Sequence, residues 1–421
     1  MMTMFCYQCE ETARGTGCTV KGVCGKEDHT AGVQDVLLYI CKGISIRNLA
    51  AMEKGAGNKQ AGAFITEALF ATLTNTNFDD QRIKEMIKQA IAIRDSLPKS
   101  GDNEPDACTW TPKSDADIEA KAKEIADLAN VNDDVHSLRA MLVFGLKGLA
   151  AYYHHAETLG YTDEEIVTFM QKGLGSTIQD LPADNMTALV LECGSVGVKV
   201  LALLDSANSK TYGSPEITSV KTTVGTKPGI LITGHDLRDL EQLLEQSKDS
   251  GVDIYTHGEM LPANAYPELK KYSHLVGNYG SSWWHQKEDF EKFNGPIVVT
   301  TNCIVPPKDS YKDKIYTTGP AGYPGVKHIA KSADGTKDFS KVIQHAKTCP
   351  VPLDSGTNGR DLITGCAHDA VLAIAGTVIE AVKKGYIKRF IVMAGCDGRR
   401  GERKYYTEFA QALPKDTVIL T

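Results

Sequence analysis

The segment 227-KPGILITGHDLRDLEQLLEQSKDSGVDIYTHGEM-260 decides the fold class of the second half of the chain. Two stretches in it, GILIT and VDIYT, are continuous apolar runs, which are typical of parallel strands buried on both faces. The residues between them predict a tight loop followed by a helix. The segment therefore predicts a strand–helix–strand unit within an α/β architecture.

Further strands are predicted on the C-terminal side of this unit. GPIVVTTNC (295–303), RFIVMA (389–394) and KDTVILT (415–421) each contain a short apolar run, and a helical stretch precedes the second of them. A polar, proline-bearing stretch near 345–360 predicts a loose join. We therefore expect two α/β units in this half of the chain.

The first half of the chain predicts helices. Between about residues 28 and 210, apolar residues recur at spacings of three and four with charges between them. Ser114 with Asp117, and Thr162 with Glu165, have the spacing of helix N-terminal caps. An all-α region of antiparallel helices is expected here.

Composition narrows the classes of function and location. The net charge of −7 argues against broad binding to nucleic acid or to an anionic membrane. The first residues do not have the pattern of a signal peptide, and no uncharged apolar stretch of about 18 residues occurs, so we expect a cytoplasmic protein. Eleven cysteines in such a chain indicate metal ligands and buried thiols rather than disulfides.

Four of these cysteines crowd the N-terminus. In 5-FCYQCEETARGTGCTVKGVC-24, Cys6, Cys9, Cys18 and Cys24 have the spacing Cys–x2–Cys–x8–Cys–x5–Cys. Structural zinc sites usually pair two Cys–x2–Cys knuckles, and only the first pair has that form. Glycines near the later cysteines would let backbone amides approach sulfur, which favours an iron–sulfur cluster over zinc.

A second group of possible ligands follows the predicted strands. His235 comes after GILIT, Glu259 after VDIYT, Cys303 after PIVVTT and Cys396 after RFIVMA. Ligands of open α/β sheets bind beyond the carboxyl ends of the strands, so the four residues predict a shared site. Its mixed nitrogen, oxygen and sulfur donors suit a metal centre that keeps positions open for a substrate.

Each of these four residues also has a structural interpretation. His235 could begin a helix capped by Asp236, Glu259 could be a solvated carboxylate, and the two cysteines could be buried small side chains. His257 is an alternative to Glu259, and a role for Cys366, two residues from His368, stays open. The pair His154–His155 is interpreted as structural. The remaining cysteines are interpreted as core or loop residues without a role: Cys41, Cys108, Cys193 and Cys349.

Five motifs together resemble the hybrid-cluster (prismane, hydroxylamine reductase) family. They are MFCYQCEETARGTGCTVKGVCGK (4–26), TGHDL (233–237), THGEMLPA (256–263), TTNC (300–303) and AGCDG (394–398). The resemblance implies an N-terminal [4Fe–4S] cluster on Cys6, Cys9, Cys18 and Cys24, as in members from anaerobes. It also implies a hybrid [4Fe–2O–2S] cluster with His235, Glu259, Cys303 and Cys396 as ligands, Cys396 as a persulfide.

The fold that the resemblance implies is α plus α/β. An N-terminal helical bundle would precede two Rossmann-like domains with parallel sheets, the last one incomplete. We expect a cluster segment at 1–27, a helical domain at 28–221, an α/β domain at 222–350 and the start of another at 351–421. The family continues through further ligands beyond this chain, so we expect a truncated version that lacks them and exposes apolar surface in its last unit.

The implied activity is reduction of hydroxylamine to ammonia and water, or of nitric oxide, with a role in nitrosative stress. Electrons from an unidentified donor protein would enter at the N-terminal cluster, and neither nucleic acid nor membrane would be a partner. Two alternatives remain: a nickel–iron–sulfur enzyme like carbon monoxide dehydrogenase, and an inactive metal-binding fragment.

Overall fold

The computed structural model describes residues 4–9, 11–127, 132–356 and 359–421. The helical region follows the N-terminal cysteine segment. Its helices are α1 Asp28–Glu53, α2 Lys59–Ala71, α3 Asp80–Ser96, α4 Asp115–Asp127, α5 Asp133–Thr158, α6 Glu164–Ser176 and α7 Ala183–Tyr212.

Helix α1 forms the centre of this region. It contacts α2, α3, α4 and α6, and its apolar side chains are buried around much of its circumference. Val36, Leu37, Ile40 and Ile44 are fully buried in the largest apolar cluster of the helical region. A helix that is apolar on most sides is a core helix, and the others pack around it with one apolar face each.

The helix caps agree with one of the two predicted cap positions. At α4, the Asp117 amide donates to Ser114 Oγ at 3.4 Å, and the Ser114 amide donates to Asp117 Oδ2 at 3.0 Å. At α6, the predicted cap residue Thr162 is wrong by one position. Asp163 is the cap residue, and its carboxylate accepts from the Glu165 amide at 2.9 Å. An ionised carboxylate is a stronger acceptor at a helix start than a hydroxyl.

Helix α7 is long and apolar enough, by length and composition, to cross a membrane. No membrane-spanning helix was expected from the sequence, because the stretch contains charges. One of them, Glu192, is 2.9 Å from Lys172 of α6, and α7 also lies along α5. These contacts place α7 within the helical bundle.

The first α/β region contains a six-stranded parallel sheet of order β4-β3-β2-β5-β6-β7. Its strands are β2 Gly229–Thr233, β3 Asp253–His257, β4 Leu275–Asn278, β5 Ile297–Val299, β6 Ile315–Thr318 and β7 Lys327–Ile329. Its helices are α8 Leu237–Ser247, α9 Pro267–Lys270, α10 Gln286–Phe293 and α11 Ser340–Lys347.

Both faces of this sheet are covered. Ile230 and Ile232 of β2 point into a cluster with α8 and α11, while Leu231 points into a second cluster with α10. Every residue of β2 and β3 is buried. This burial explains why GILIT reads as a continuous apolar run rather than an alternating one.

The last part of the chain is less covered. Strand β8 Leu362–Thr364 pairs antiparallel with β1 Thr218–Val220, and β9 Arg389–Val392 pairs parallel with β10 Thr417–Leu420. Helices α12 His368–Ala373, α13 Ala375–Lys383 and α14 Tyr405–Ala412 accompany them. No described residue from 359 to 421 is buried, so the prediction that this unit exposes apolar surface is confirmed.

Candidate metal centres

The N-terminal segment folds back on itself and brings Cys6 opposite Cys18. The amide of each donates to the carbonyl of the other, at 3.0 and 2.8 Å. The reversal passes through Gly17 at φ 132°, where a Cβ atom would lie 2.6 Å from the Phe5 ring. Only glycine fits this position without displacing that ring.

Cys24 lies in a second tight turn. The Gly22 amide donates to the Lys26 carbonyl at 2.7 Å, and the Gly25 amide donates back to the Gly22 carbonyl at 2.8 Å. The two turns together enclose a small cavity. All four cysteines line it, together with Met4, Thr12, Gly22, Val23, Lys26 and Thr74.

Electrostatics at this cavity fit a cationic centre. Burial is the largest cause that raises the pKa of the Cys9 and Cys24 thiols, and the neighbouring cysteines raise both values further. Four ionised thiols cannot share a buried cavity without a compensating charge. Iron ions supply that charge, so the donor set and its enclosure fit an iron–sulfur cluster held by four thiolates.

The strand-end residues of the first α/β region come from three neighbouring strands. His235 follows β2, Glu259 follows β3 and Cys303 follows β5, and β2 pairs with both other strands. His235 Nε2 lies 3.0 Å from Glu259 Oε2, with side chains 38% and 53% exposed. The parallel sheet therefore brings a nitrogen and an oxygen donor together at an edge that a small molecule can reach.

Thr301 orients the His235 ring. Its hydroxyl donates its single hydrogen to the Asn302 carbonyl at 3.1 Å, so it accepts from His235 Nδ1 at 2.8 Å. Nε2 is then the nitrogen left for a ligand. The hydrogen bond with His235 lowers the pKa of the Glu259 carboxyl. A metal ion bound by both side chains would take the place of this hydrogen bond.

Cys303 lies between the two groups of predicted ligands. Burial, and then the charge of Glu259 with smaller effects of Cys24 and Cys9, raise the pKa of its thiol to about 12, although a hydrogen bond with Asn75 lowers it. Gln286 Nε2 donates to the Cys303 carbonyl at 2.8 Å and fixes the loop. This half-buried thiol, whose pKa responds to the charge of Glu259, would supply the sulfur donor of a mixed site.

Cys396 follows a strand of a different sheet from the other three predicted ligands. It is exposed after β9, which belongs to the separate β9–β10 sheet. Within the described part of the chain, its thiol makes no hydrogen bond with His235, Glu259 or Cys303. In the same ranges, no three His, Cys, Asp or Glu side chains are grouped as for one metal ion. The same finding holds for the four N-terminal cysteines. Of the four predicted ligands of the second centre, His235 and Glu259 are in direct contact.

His257, the alternative to Glu259, has a structural role. Its ring is fully buried, with Nδ1 3.2 Å from Thr233 Oγ1 and Nε2 3.2 Å from Asp289 Oδ2. Both nitrogens are therefore engaged inside the domain, while Glu259 faces the edge of the sheet.

Several residues at these centres were not found from the sequence. Thr301 and Asn75 contact predicted ligands, but their spacing in the chain carries no signal of it. His155, interpreted as structural, is buried with its ring 6.4 Å from that of His235. The approach of His155 in α5 to His235 depends on how the helical and α/β regions pack together, which local patterns do not encode.

Comparison with known proteins identifies the family. Residues 4–421 match the model of the Prismane/CO dehydrogenase family. Hydroxylamine reductases from Desulfitobacterium hafniense (strain DSM 10664 / DCB-2) and Thermoanaerobacter pseudethanolicus are each 55% identical over 430 residues, covering 100% of this chain and 78% of each relative.

Among solved structures, carbon monoxide dehydrogenase IV from Carboxydothermus hydrogenoformans is similar at 14% identity and a TM-score of 0.45, covering 99% of this chain and 68% of that one. The family match and the relatives, which span the whole described chain, decide the assignment. The chain belongs to the Prismane/CO dehydrogenase family.

Proposed function

We propose that this protein is an iron–sulfur oxidoreductase that reduces hydroxylamine. In this reaction the N–O bond of hydroxylamine breaks, and two electrons and two protons yield ammonia and water. The observation that carries the proposal is the 3.0 Å approach of His235 Nε2 to Glu259 Oε2, beside the Cys303 thiol, at the carboxyl edge of the sheet. The relatives at 55% identity bear the name of this activity.

The chain's own residues would divide the work between two centres. Cys6, Cys9, Cys18 and Cys24 would hold a [4Fe–4S] cluster in their shared cavity. His235 and Glu259 would supply hard donors, and Cys303 a soft one, to a hybrid iron–sulfur–oxygen cluster. Cys396 is proposed as a further ligand, as a persulfide. When bound, the clusters supply the electrons and a Lewis acid for the substrate.

The open edge of the sheet defines what could enter. His235 and Glu259 are partly exposed, whereas Cys303 is largely enclosed. Thr301 holds the His235 ring so that Nε2 faces Glu259. A small nitrogen compound suits such a site, and electrons would come from a donor protein in the cytoplasm. Nitric oxide is the rival substrate, with protection from nitrosative stress as its consequence.

The first experiment tests the second centre. Anaerobically prepared protein, supplied with a reduced dye, should form ammonia from hydroxylamine. Glu259→Ala should abolish this while leaving the paramagnetic signal of the N-terminal cluster intact. Glu268→Ala removes an exposed carboxylate from the same domain and should retain full turnover. Full turnover in Glu259→Ala would remove this residue from the site.

The second experiment tests the first centre and the alternatives. Cys9→Ser should lose about four irons together, since one cubane holds four. Stoichiometric zinc in the parent protein would contradict the cluster. Nickel bound with iron would favour the carbon monoxide dehydrogenase alternative, and loaded protein that forms no ammonia would favour a non-catalytic metal-binding role.

A further inference from the structure

The basic run GRRGERK (398–404) follows the predicted ligand Cys396. It lies against the N-terminal cysteine segment and engages Glu11. Arg399 Nε donates to Glu11 Oε2 at 3.1 Å, and Arg403 Nη1 donates to Glu11 Oε1 at 2.9 Å. Both carboxylate oxygens are therefore held by charge-assisted hydrogen bonds, and Glu11 is only 8% exposed.

Backbone carbonyls extend this contact. Arg400 Nη2 donates to the carbonyls of Glu11 and Thr12, each at 3.1 Å. Arg399 Nη2 reaches the Val23 carbonyl at 3.5 Å. Thr12 and Val23 line the cavity of the four cysteines. The arginines thus bind the outside of the segment whose inside faces that cavity.

The contact joins two parts of the chain that are 388 residues apart. Glu11 follows Cys9 by two residues, and Arg399 follows Cys396 by three. The Glu11–Arg399 contact therefore connects the loop that carries Cys9 directly to the loop that carries Cys396. No local pattern in the sequence indicated this pairing.

The C-terminal region depends on such contacts because it buries so little. None of its described residues from 359 onward is buried. Its other links to the rest of the chain include the β1–β8 pairing, Ser219 Oγ with Asp361 Oδ2 at 3.0 Å, and Thr222 Oγ1 with the Arg360 carbonyl at 3.0 Å. Ser214 and Asp205 also contact Asp369 and His368. These links hold the start of the region, whereas the arginines hold the Cys396 loop.

We propose that Glu11, Arg399, Arg400 and Arg403 form a positioning clamp that holds the Cys396 loop against the N-terminal cysteine segment. The assignment of the N-terminal cysteines and of Cys396 as ligands rests on the proposed function, but the contacts of the clamp do not.

Hydrogen–deuterium exchange of the full chain tests the clamp. In Glu11→Gln, amide exchange across 395–404 should rise about tenfold, because a lost charge-assisted hydrogen bond corresponds to at least that factor. Glu402→Gln makes the same chemical change within the run, at an exposed residue outside the clamp, and should exchange like the parent. Parent-like exchange in Glu11→Gln would overturn the proposal.

A second variant covers the case in which Glu11→Gln unfolds. Peptides from α1 and α5 report on global unfolding, and if they also exchange faster, Arg403→Gln decides. It should raise exchange across both 395–404 and 11–24, and parent-like exchange in both segments would overturn the clamp. Ammonia formation is measured separately: its absence with the exchange effect intact would refute the proposed function and leave the clamp standing.

Discussion

The two α/β regions of this protein use similar strands in different surroundings. Strand β2 lies between β3 and β5 in a covered sheet, and all five of its residues are buried. Strand β9 contains the apolar run FIV after Arg389, yet among the described strands it pairs with β10 alone, and none of its residues is buried. The difference teaches that an apolar run predicts a strand, whereas its burial depends on neighbours that the run does not specify.

The largest expected difference concerns stability. Ile232 in β2 is fully buried and Ile419 in β10 is 38% exposed. Ile232→Ala should lower the free energy of unfolding by about 2–5 kcal/mol, because it leaves a cavity in a packed core. Ile419→Ala should lower it by less than about 1 kcal/mol. Urea unfolding followed by circular dichroism measures both, and equal losses would break the comparison.

The second prediction concerns the hydrogen bond that orients His235 at the edge of the covered sheet. Thr301→Val removes the acceptor that orients His235, so we expect a loss of roughly 10- to 100-fold in iron affinity of the second centre or in turnover. Thr301→Ser keeps the hydroxyl and should restore both. The signal of the N-terminal cluster should not change in either variant. A fully active Thr301→Val protein would show that the ring is held by other contacts.

The third prediction concerns how stability depends on pH, through a histidine at the contact between the first α/β region and the helices. Burial, and then the charges of Arg82 and Lys337, lower the pKa of His328 to about 3. In the unfolded chain His328 binds a proton with a pKa near 6.5, whereas in the folded chain it stays neutral to a lower pH. Stability should therefore fall as the pH drops from 6.5 toward 3. In His328→Gln this dependence should be shallower. Identical pH profiles of the urea midpoint would contradict the assignment.

The smallest expected effect concerns solubility. Val392 in β9 is 74% exposed, and Leu372 and Tyr386 of the same region are also exposed. Val392→Lys should change the free energy of unfolding by within about 0.5 kcal/mol, as surface substitutions usually do. It should also reduce aggregation measured by light scattering. A large loss of stability would show that this face is covered in solution.

Local patterns predicted much of the fold. The apolar spacing of α1 and α3, the continuous runs of β2 and β3, and the placement of His235 and Glu259 at strand ends all follow from short stretches. These features depend on periodicity and on one topological rule. They can be predicted without knowing how the regions of the chain pack against each other.

The remaining features depend on distant partners. The pairing of β1 with β8, the Arg399–Glu11 contact and the Thr301–His235 hydrogen bond join residues far apart in sequence. Cys396 shows the same limit: its strand was predicted, but the sheet that the strand would join was not. Even the α6 cap was placed one residue early, because Thr162 and Asp163 are both acceptable caps.

The peptide pairing of Cys6 with Cys18 has a consequence for how this protein acquires iron. Both cysteine loops are closed by their own amide hydrogen bonds, so the chain entropy of loop closure is lost during folding and not during metal uptake. A receptacle shaped in advance can accept a preassembled cluster by exchange of thiolates.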